Sequence, residues 1–373
     1  MGELVLEGVD KIYRPSRKQP VHAVKALSLT VKPGEIVALL GSSGCGKTST
    51  LRMIAGFEDV SNGTITLDGR QIQTLAPSGR GVAMAFEAYS LYPPLTIAEN
   101  MAFALKAQKL SAAESGRKVQ AMAEMLEISD ILKKYPSSVS GGQQQRAGLG
   151  RALVRNARLY LLDEPMGQLE PQLRAVLRGR IKHYLREHNC TSILVTHDQT
   201  EANALADRIA VMEGGELQQY ATPAELKLRP ANLFTGTFIG EPPMNVFNAS
   251  VTADAKNVTF MLDGGQALTY PAVELSLAVR ALLAKMPKVA IGIRPHALHV
   301  GKGPIKGKVV ACQWLGDQTH VAAEVAGRIA VSVAHERVKA QTGSDIELFV
   351  AAGDLHLFDP LSGAAIAHGG DLA

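Results

Sequence analysis

Residues 41–48 read GSSGCGKT and directly follow the run EIVALL at residues 35–40. A short, largely apolar run of that kind reads as a buried strand, residues 49–55 continue at helical period, and strand, glycine-rich loop and helix in that order belong to a parallel α/β sheet. Gly41, Gly44 and Gly46 let the backbone curl until its N–H groups converge on phosphates, an approach that a Cβ would block. Lys47 then reaches the terminal phosphates, and Thr48 offers a hydroxyl to Mg²⁺. The candidate nucleotide cradle is therefore Gly41, Ser42, Ser43, Gly44, Cys45, Gly46, Lys47, Thr48 and Ser49, with the positive end of the helix facing a triphosphate. That end is also expected to lower the pKa of Cys45 and favour a reactive thiolate.

A second half-site stands more than a hundred residues further on. Residues 159–162 are wholly apolar and deliver Asp163 and Glu164 at the carboxyl end of a central strand, the edge where ligands bind in such sheets. Asp163 is expected to hold Mg²⁺ through its hydration shell, and Glu164 to polarise the attacking water. The apolar run at residues 192–195 places His197 at the same edge, where an imidazole can sense and orient charge on a γ-phosphate. Residues 139–143, VSGGQ, set a helix start with Ser140 as N-cap, and the following residues continue at helical period.

The phosphate loop, VSGGQQQR, LLDEP and VTHD stand in the order and spacing of the ABC transporter ATPase family, which the chain resembles from residue 1 to about residue 240. The resemblance implies an ATP- and Mg²⁺-dependent cassette that dimerises head to tail, so that Ser140, Gly141, Gly142 and Gln143 would cap the γ-phosphate held by a second ATPase subunit. It also places Tyr13 at the adenine-stacking position, followed by an extra basic loop at residues 14–21 whose Arg14, Arg17 and Lys18 are read as solvated. Residues 86–100, FEAYSLYPPLTIAEN, resemble the segment that links the γ-phosphate to membrane subunits in carbohydrate importers. The family usually has Gln at the position of Glu87, which is expected to lie near the metal, and Asp where the loop after the catalytic Glu here reads Gly167, Gln168, Leu169 and Glu170. Both departures leave open whether the ATPase pair is a homodimer or a heterodimer.

The prolines at 223, 230, 242 and 243 mark a change of composition, and the boundary is expected near Gly240: a cassette over residues 1–240, then a β-barrel domain over residues 241–373 with a regulatory or dimerisation role. The segment IGIRPHAL at residues 291–298 resembles the OB-like accessory barrel of maltose- and glycerol-phosphate-type importer ATPases. That region lacks regularly placed aromatics with interleaved basic residues, and the net charge of +4 is diffuse, so nucleic acid is not an expected partner. No apolar run spans a bilayer, the start MGELVLEGVDK does not read as a signal peptide, and three scattered cysteines fit a reducing compartment.

The fold class expected is thus α/β, a P-loop ABC ATPase cassette followed by a small β-barrel. The function expected is the ATP-hydrolysing subunit of an importer for a sugar, polyol or glycerol phosphate, peripheral on the cytoplasmic face of the inner (plasma) membrane. Its partners would be ABC permease subunits and, indirectly, a periplasmic or extracellular solute-binding protein. The alternatives are an importer for a polyamine or inorganic ion, and a soluble ABC ATPase of translation or DNA repair, disfavoured because neither tandem cassettes nor long coiled-coil insertions are present.

Overall fold

A computed structural model describes residues 2–14, 19–87 and 90–372. Arg17 and Lys18 of the basic loop lie outside the described residues. The chain divides into two compact units, one ending at Pro223 and one running from Ala224 to Ala373.

The first unit opens with an antiparallel sheet in which β1 (Leu4–Tyr13) pairs with β2 (Val21–Val31) on one side and, later in the chain, β4 on the other. Next come β3 (Ile36–Gly41), α1 (Lys47–Ala55), β4 (Asn62–Leu67), β5 (Arg70–Gln71) and β6 (Val82–Ala85). Helices α2 (Ile97–Phe103), α3 (Ala112–Met125) and α4 (Gly141–Leu153) lead into β7 (Leu159–Asp163), α5 (Pro171–Glu187), β8 (Ser192–Thr196) and α6 (Gln199–Leu205). The hairpin β9 (Arg208–Glu213) and β10 (Glu216–Ala221) closes the unit.

The central sheet has the order β10-β9-β3-β8-β7-β6. Every pairing in it is parallel except that of β10 with β9. Every residue of β3, β7 and β8 is buried, which is why these strands read as unbroken apolar runs. Because β3, β7 and β8 run parallel and adjacent, Gly41, Asp163 and Thr196 all come to one sheet edge.

Helix α7 (Pro223–Leu228) starts at the last residue of the first unit and runs into the second, where α8 (Leu233–Phe238) follows. It continues through β11 (Asn245–Ala253), β12 (Asn257–Leu262), β13 (Ala267–Pro271), α9 (Leu277–Leu283) and β14 (Lys288–Ile293). Strands β15 (His299–Trp314), β16 (Thr319–Val325), β17 (Arg328–Ala334), β18 (Asp345–Phe349), β19 (Leu355–Phe358) and β20 (Ala365–His368) and helix α10 (Gly369–Leu372) complete it. Two antiparallel sheets, β13-β12-β11-β14-β19-β20 and β17-β16-β15-β18, share one core containing Phe260, Ile291, Ile305, Val321 and Leu357. This is the β-rich accessory unit that the sequence leads one to expect.

The division falls ahead of Gly240 because α7 and α8 bond into the second unit. The Leu233 N–H donates to the Gly363 carbonyl at 2.7 Å, and the Arg294 guanidinium donates to the carbonyls of Lys227, Gly236 and Ile239. Pro223 heads α7 and Pro230 follows it, buried, whereas hydrogen bonds decide which unit these helices join.

Candidate nucleotide and hydrolysis site

The loop after β3 owes its shape to glycine. Gly46 caps α1 with φ at 103°, and a Cβ there would run into the Ala23 carbonyl. No side chain caps this helix, so its first-turn N–H groups are left for an anion. Lys47 is only 8% exposed, and its ammonium folds back to donate to the carbonyls of Gly41 and Ser42 at 2.8 Å each. The Ser42 hydroxyl bonds the Glu213 carboxylate, while Ser43 and Gly44 stand exposed at the tip.

Cys45 requires a correction. Its thiol is buried, and burial raises its pKa by more than the nearby Lys47 ammonium, 3.6 Å away, lowers it. Burial therefore works against the expected reactive thiolate, because desolvation of the charged sulfur is the largest effect on it.

Asp163, 3% exposed, ends β7 and stands 3.5 Å from the Thr48 hydroxyl. Burial first, then the charges of Glu87 and Glu164, push its carboxyl up to about 6. Three acids with too little positive charge among them, beside a hydroxyl at the phosphate loop, suit a divalent cation. Among the described residues no group of three His, Cys, Asp or Glu side chains forms a complete cage. A site with one hydroxyl and one or two carboxylates fits Mg²⁺, which keeps several waters and completes its shell with substrate phosphates.

Glu164 follows in an uncommon backbone conformation, with φ at 48°. Three contacts hold it there. Its N–H donates to the Val195 carbonyl at 3.0 Å, the Gln145 amide donates to its carbonyl at 2.8 Å, and the same Gln145 side chain accepts from the Gln168 N–H at 3.0 Å. His197 Nδ1 lies 2.8 Å from Glu164 Oε2, with the imidazole side chain 73% exposed and the carboxylate 16%. The two residues expected to act on the water are thus in direct contact. Arg174 braces the following loop through Asp198 at 3.1 Å and the Leu169 carbonyl at 3.1 Å.

Ser140 caps α4 in a reciprocal box with Gln143, whose N–H donates to the Ser140 hydroxyl at 3.3 Å while its side-chain carbonyl accepts from the Ser140 N–H at 3.0 Å. At Gly142 a Cβ would meet the Gln168 carbonyl at 3.2 Å, so the signature helix and the loop after Glu164 pack at backbone distance. Tyr13 ends β1, its hydroxyl bonded to Ser49 at 2.9 Å and to the Glu58 carboxylate. The Lys11 ammonium lies 4.8 Å from the centre of its ring.

Sequence reasoning missed Gln145 and Asn100. Asn100, fully buried, exchanges hydrogen bonds with Tyr92 and donates to the carbonyls of Leu95 and Thr96, shaping the loop that follows Glu87. For Asn100 the one available signal was a polar residue on an otherwise apolar helix face. Gln145→Ala is expected to lower kcat for ATP hydrolysis by about 10- to 100-fold through misplacement of Glu164, with ATP affinity held within about threefold. Steady-state hydrolysis beside equilibrium nucleotide binding checks this, and an unchanged kcat would remove Gln145 from the account.

Comparison with known proteins identifies the family of the chain. The ABC transporter family matches residues 24–167, and the TOBE domain matches residues 291–358. The chain is 39% identical to an uncharacterized ABC transporter ATP-binding protein of Sinorhizobium fredii over 98% of this chain and 95% of that one. It is 39% identical to the sn-glycerol-3-phosphate import ATP-binding protein of Cereibacter sphaeroides, covering 97% and 99%, and 44% identical to the trehalose import ATP-binding protein of Mycobacterium tuberculosis, covering 79% and 72%. Among solved structures, the ATP-binding cassette MJ0796, a dimer in a post-hydrolysis state bound to ADP and Pi, superimposes with a TM-score of 0.56 at 27% identity, over 59% of this chain and 98% of that one. The chain belongs to the ABC transporter ATP-binding protein family, with an ATP-hydrolysing cassette followed by a TOBE domain.

Proposed function

We propose that this chain is the ATP-hydrolysing subunit of an importer for a small solute of the sugar, polyol or glycerol phosphate class. Likeness along nearly the whole chain to an sn-glycerol-3-phosphate import ATP-binding protein carries this reading. Similarity to trehalose and alpha-glucoside proteins of the same kind supports the wider solute class. Selectivity would lie in partner subunits: permeases that span the membrane and a solute-binding protein outside it. Among the described residues no helix is long and apolar enough to cross a bilayer, which suits a peripheral subunit at the cytoplasmic membrane face.

In the proposed reaction the adenine stacks on the Tyr13 ring face opposite Lys11, and the amides of residues 41–48 cradle the phosphates. Lys47 turns from its loop carbonyls toward the γ-phosphate, exchanging neutral acceptors for an anion. Thr48 and Asp163, with Glu87 nearby, would hold Mg²⁺, which when bound neutralises charge developing on the phosphates. Glu164 accepts the proton of the attacking water, and His197, in contact with it, keeps that carboxylate oriented. Ser140, Gly141, Gly142 and Gln143 close the site of a second ATPase subunit, of identical or different sequence.

Glu87 contributes the largest charge acting on Asp163, so Glu87→Gln is expected to change the Mg²⁺ concentration giving half-maximal hydrolysis. At ~4 Å and an effective dielectric near 20 one charge is worth up to ~4 kcal/mol, much of it offset by the cation, so nucleotide affinity should stay within about tenfold. Superimposable Mg²⁺ titrations at saturating ATP would show the substitution to be neutral. The reading as a whole is tested by purifying the subunit from membranes and measuring uptake. Recovery with a multi-spanning partner, and loss of solute uptake in Glu164→Gln, are expected; a subunit recovered alone, with uptake of these solutes unaffected, would count against it.

A further inference from the structure

We propose that the C-terminal unit carries a proton-coupled binding site for a small tetrahedral dianion of the phosphate-monoester class, in the cavity beside Arg294, His356 and His368. The cavity measures about 310 Å³, and its titratable lining is almost wholly basic: Lys227, Arg229, Arg294, His296, His356 and His368, against Asp354 alone. A neighbouring cavity of about 410 Å³ shares Lys227, Arg294 and His296 with it. No residue of either belongs to the cassette unit.

Arg294 is the first reason to expect an anion. It is 5% exposed, and among the described residues its guanidinium donates only to the neutral carbonyls of Lys227, Gly236 and Ile239 and its Nε has no partner. Burial alone pulls it down to about 10, and no carboxylate acts against that fall. A buried charge without a counter-ion is costly, and an anion brought close would relieve that cost.

The second reason is the histidine pair. His356 and His368 are each 7% exposed, and their Nδ1 atoms stand 3.0 Å apart. A hydrogen bond at that distance requires one Nδ1 to carry a proton and the other to lack it. The neutral pair therefore presents one Nε2–H donor and one bare Nε2 acceptor, and neither Nε2 has a described hydrogen-bond partner. The acceptor opposes an anion as the pair stands. One proton taken from solvent converts the pair to imidazolium and imidazole still sharing the Nδ1 proton, with both Nε2 atoms as donors. An anion and a proton thus enter together.

Every charged group packed around the pair bears on this coupling. Arg229, just after α7, and Arg294 and His296, after β14, oppose its protonation, whereas Asp371 on α10 favours it; Lys227 on α7 and Asp354 act on His296 in opposite senses. Asp371 is already engaged by Arg229 at 2.8 Å. Burial first, and then these charges, hold His356 neutral down to about 3, so the empty pair stays uncharged at neutral pH and the entering dianion supplies the field that charges it. By linkage, affinity then rises as pH falls.

The test is calorimetric titration of the full-length chain with sodium sulfate, which stays dianionic between pH 6 and 8, with the phosphate loop saturated by a non-hydrolysable ATP analogue and Mg²⁺. The expected result is binding about tenfold or more tighter at pH 6 than at pH 8, with close to one proton taken up when buffers of different ionisation enthalpy are compared. His368→Asn should remove both the proton uptake and the pH dependence while leaving ATP hydrolysis unchanged. Histidine ring NMR of the unmodified chain provides a second readout, in which sulfate should raise the titration midpoint of one of the pair. Absence of sulfate heat, equal affinity at both pH values, or unmoved histidine resonances would overturn the site. Tighter binding of glycerol 3-phosphate than of inorganic phosphate would identify an ester as the occupant, and the reverse order a free ion.

Discussion

Glu164→Gln is expected to bind ATP normally and to lose hydrolysis by about 10² to 10⁴, the range for a positioned general base. The substitution keeps the shape and the His197 contact while removing the proton acceptor. The backbone supports from Val195 and Gln145 act on the Glu164 main chain and are untouched. With cleavage blocked, the ATP-bound pair of subunits should accumulate, and gel filtration with ATP should show a dimer that the unmodified chain forms only transiently. Near-normal turnover would remove Glu164 as the base. A monomer under saturating ATP would instead count against the paired arrangement.

Ser140→Arg carries the second large effect. Ser140 caps α4 and shares its capping box with Gln143, so the replacement removes the cap, puts a bulky cation at the helix end, and withdraws a hydroxyl from the surface assigned to the opposing nucleotide. Loss of a preorganised donor of this kind costs about 10² or more in turnover. Its own phosphate loop lies on a different element, so equilibrium binding of a fluorescent ATP analogue should be retained. Lost binding in a folded variant would mean that Ser140 serves its own site.

The legibility of the chain followed the range of the interactions involved. The strand–loop–helix around Gly41–Lys47 and the delivery of Asp163 and Glu164 after β7 depend on residues adjacent in sequence, where apolar runs, glycines and helix starts speak directly. The β-rich second unit was legible for the same reason, through short alternating strands between turns. Contacts across long separations were not. Gln145 reaches Glu164 across 19 positions and Gln168 across 23, and nothing local marks a third glutamine in a row as the brace of the hydrolysis loop. Cys45 was misread because the helix end is visible in sequence while burial is not. The His356–His368 pair depends on the antiparallel pairing of β19 with β20, which sets those residues opposite each other. Glu87 was singled out by its departure from a family pattern, and its charge at Asp163 is the physical content behind that departure.

The central claim is that one chain holds two half-sites and that hydrolysis needs a second subunit to complete each. Mixing Ser140→Arg with Lys47→Ala tests it most directly. One parent lacks the closing surface and the other lacks the phosphate lysine, so each alone should be inactive. In verified mixed dimers one composite site carries both lesions and the other carries neither, and ATP hydrolysis well above either parent is the result predicted. Mixed dimers no more active than the parents would contradict the composite site.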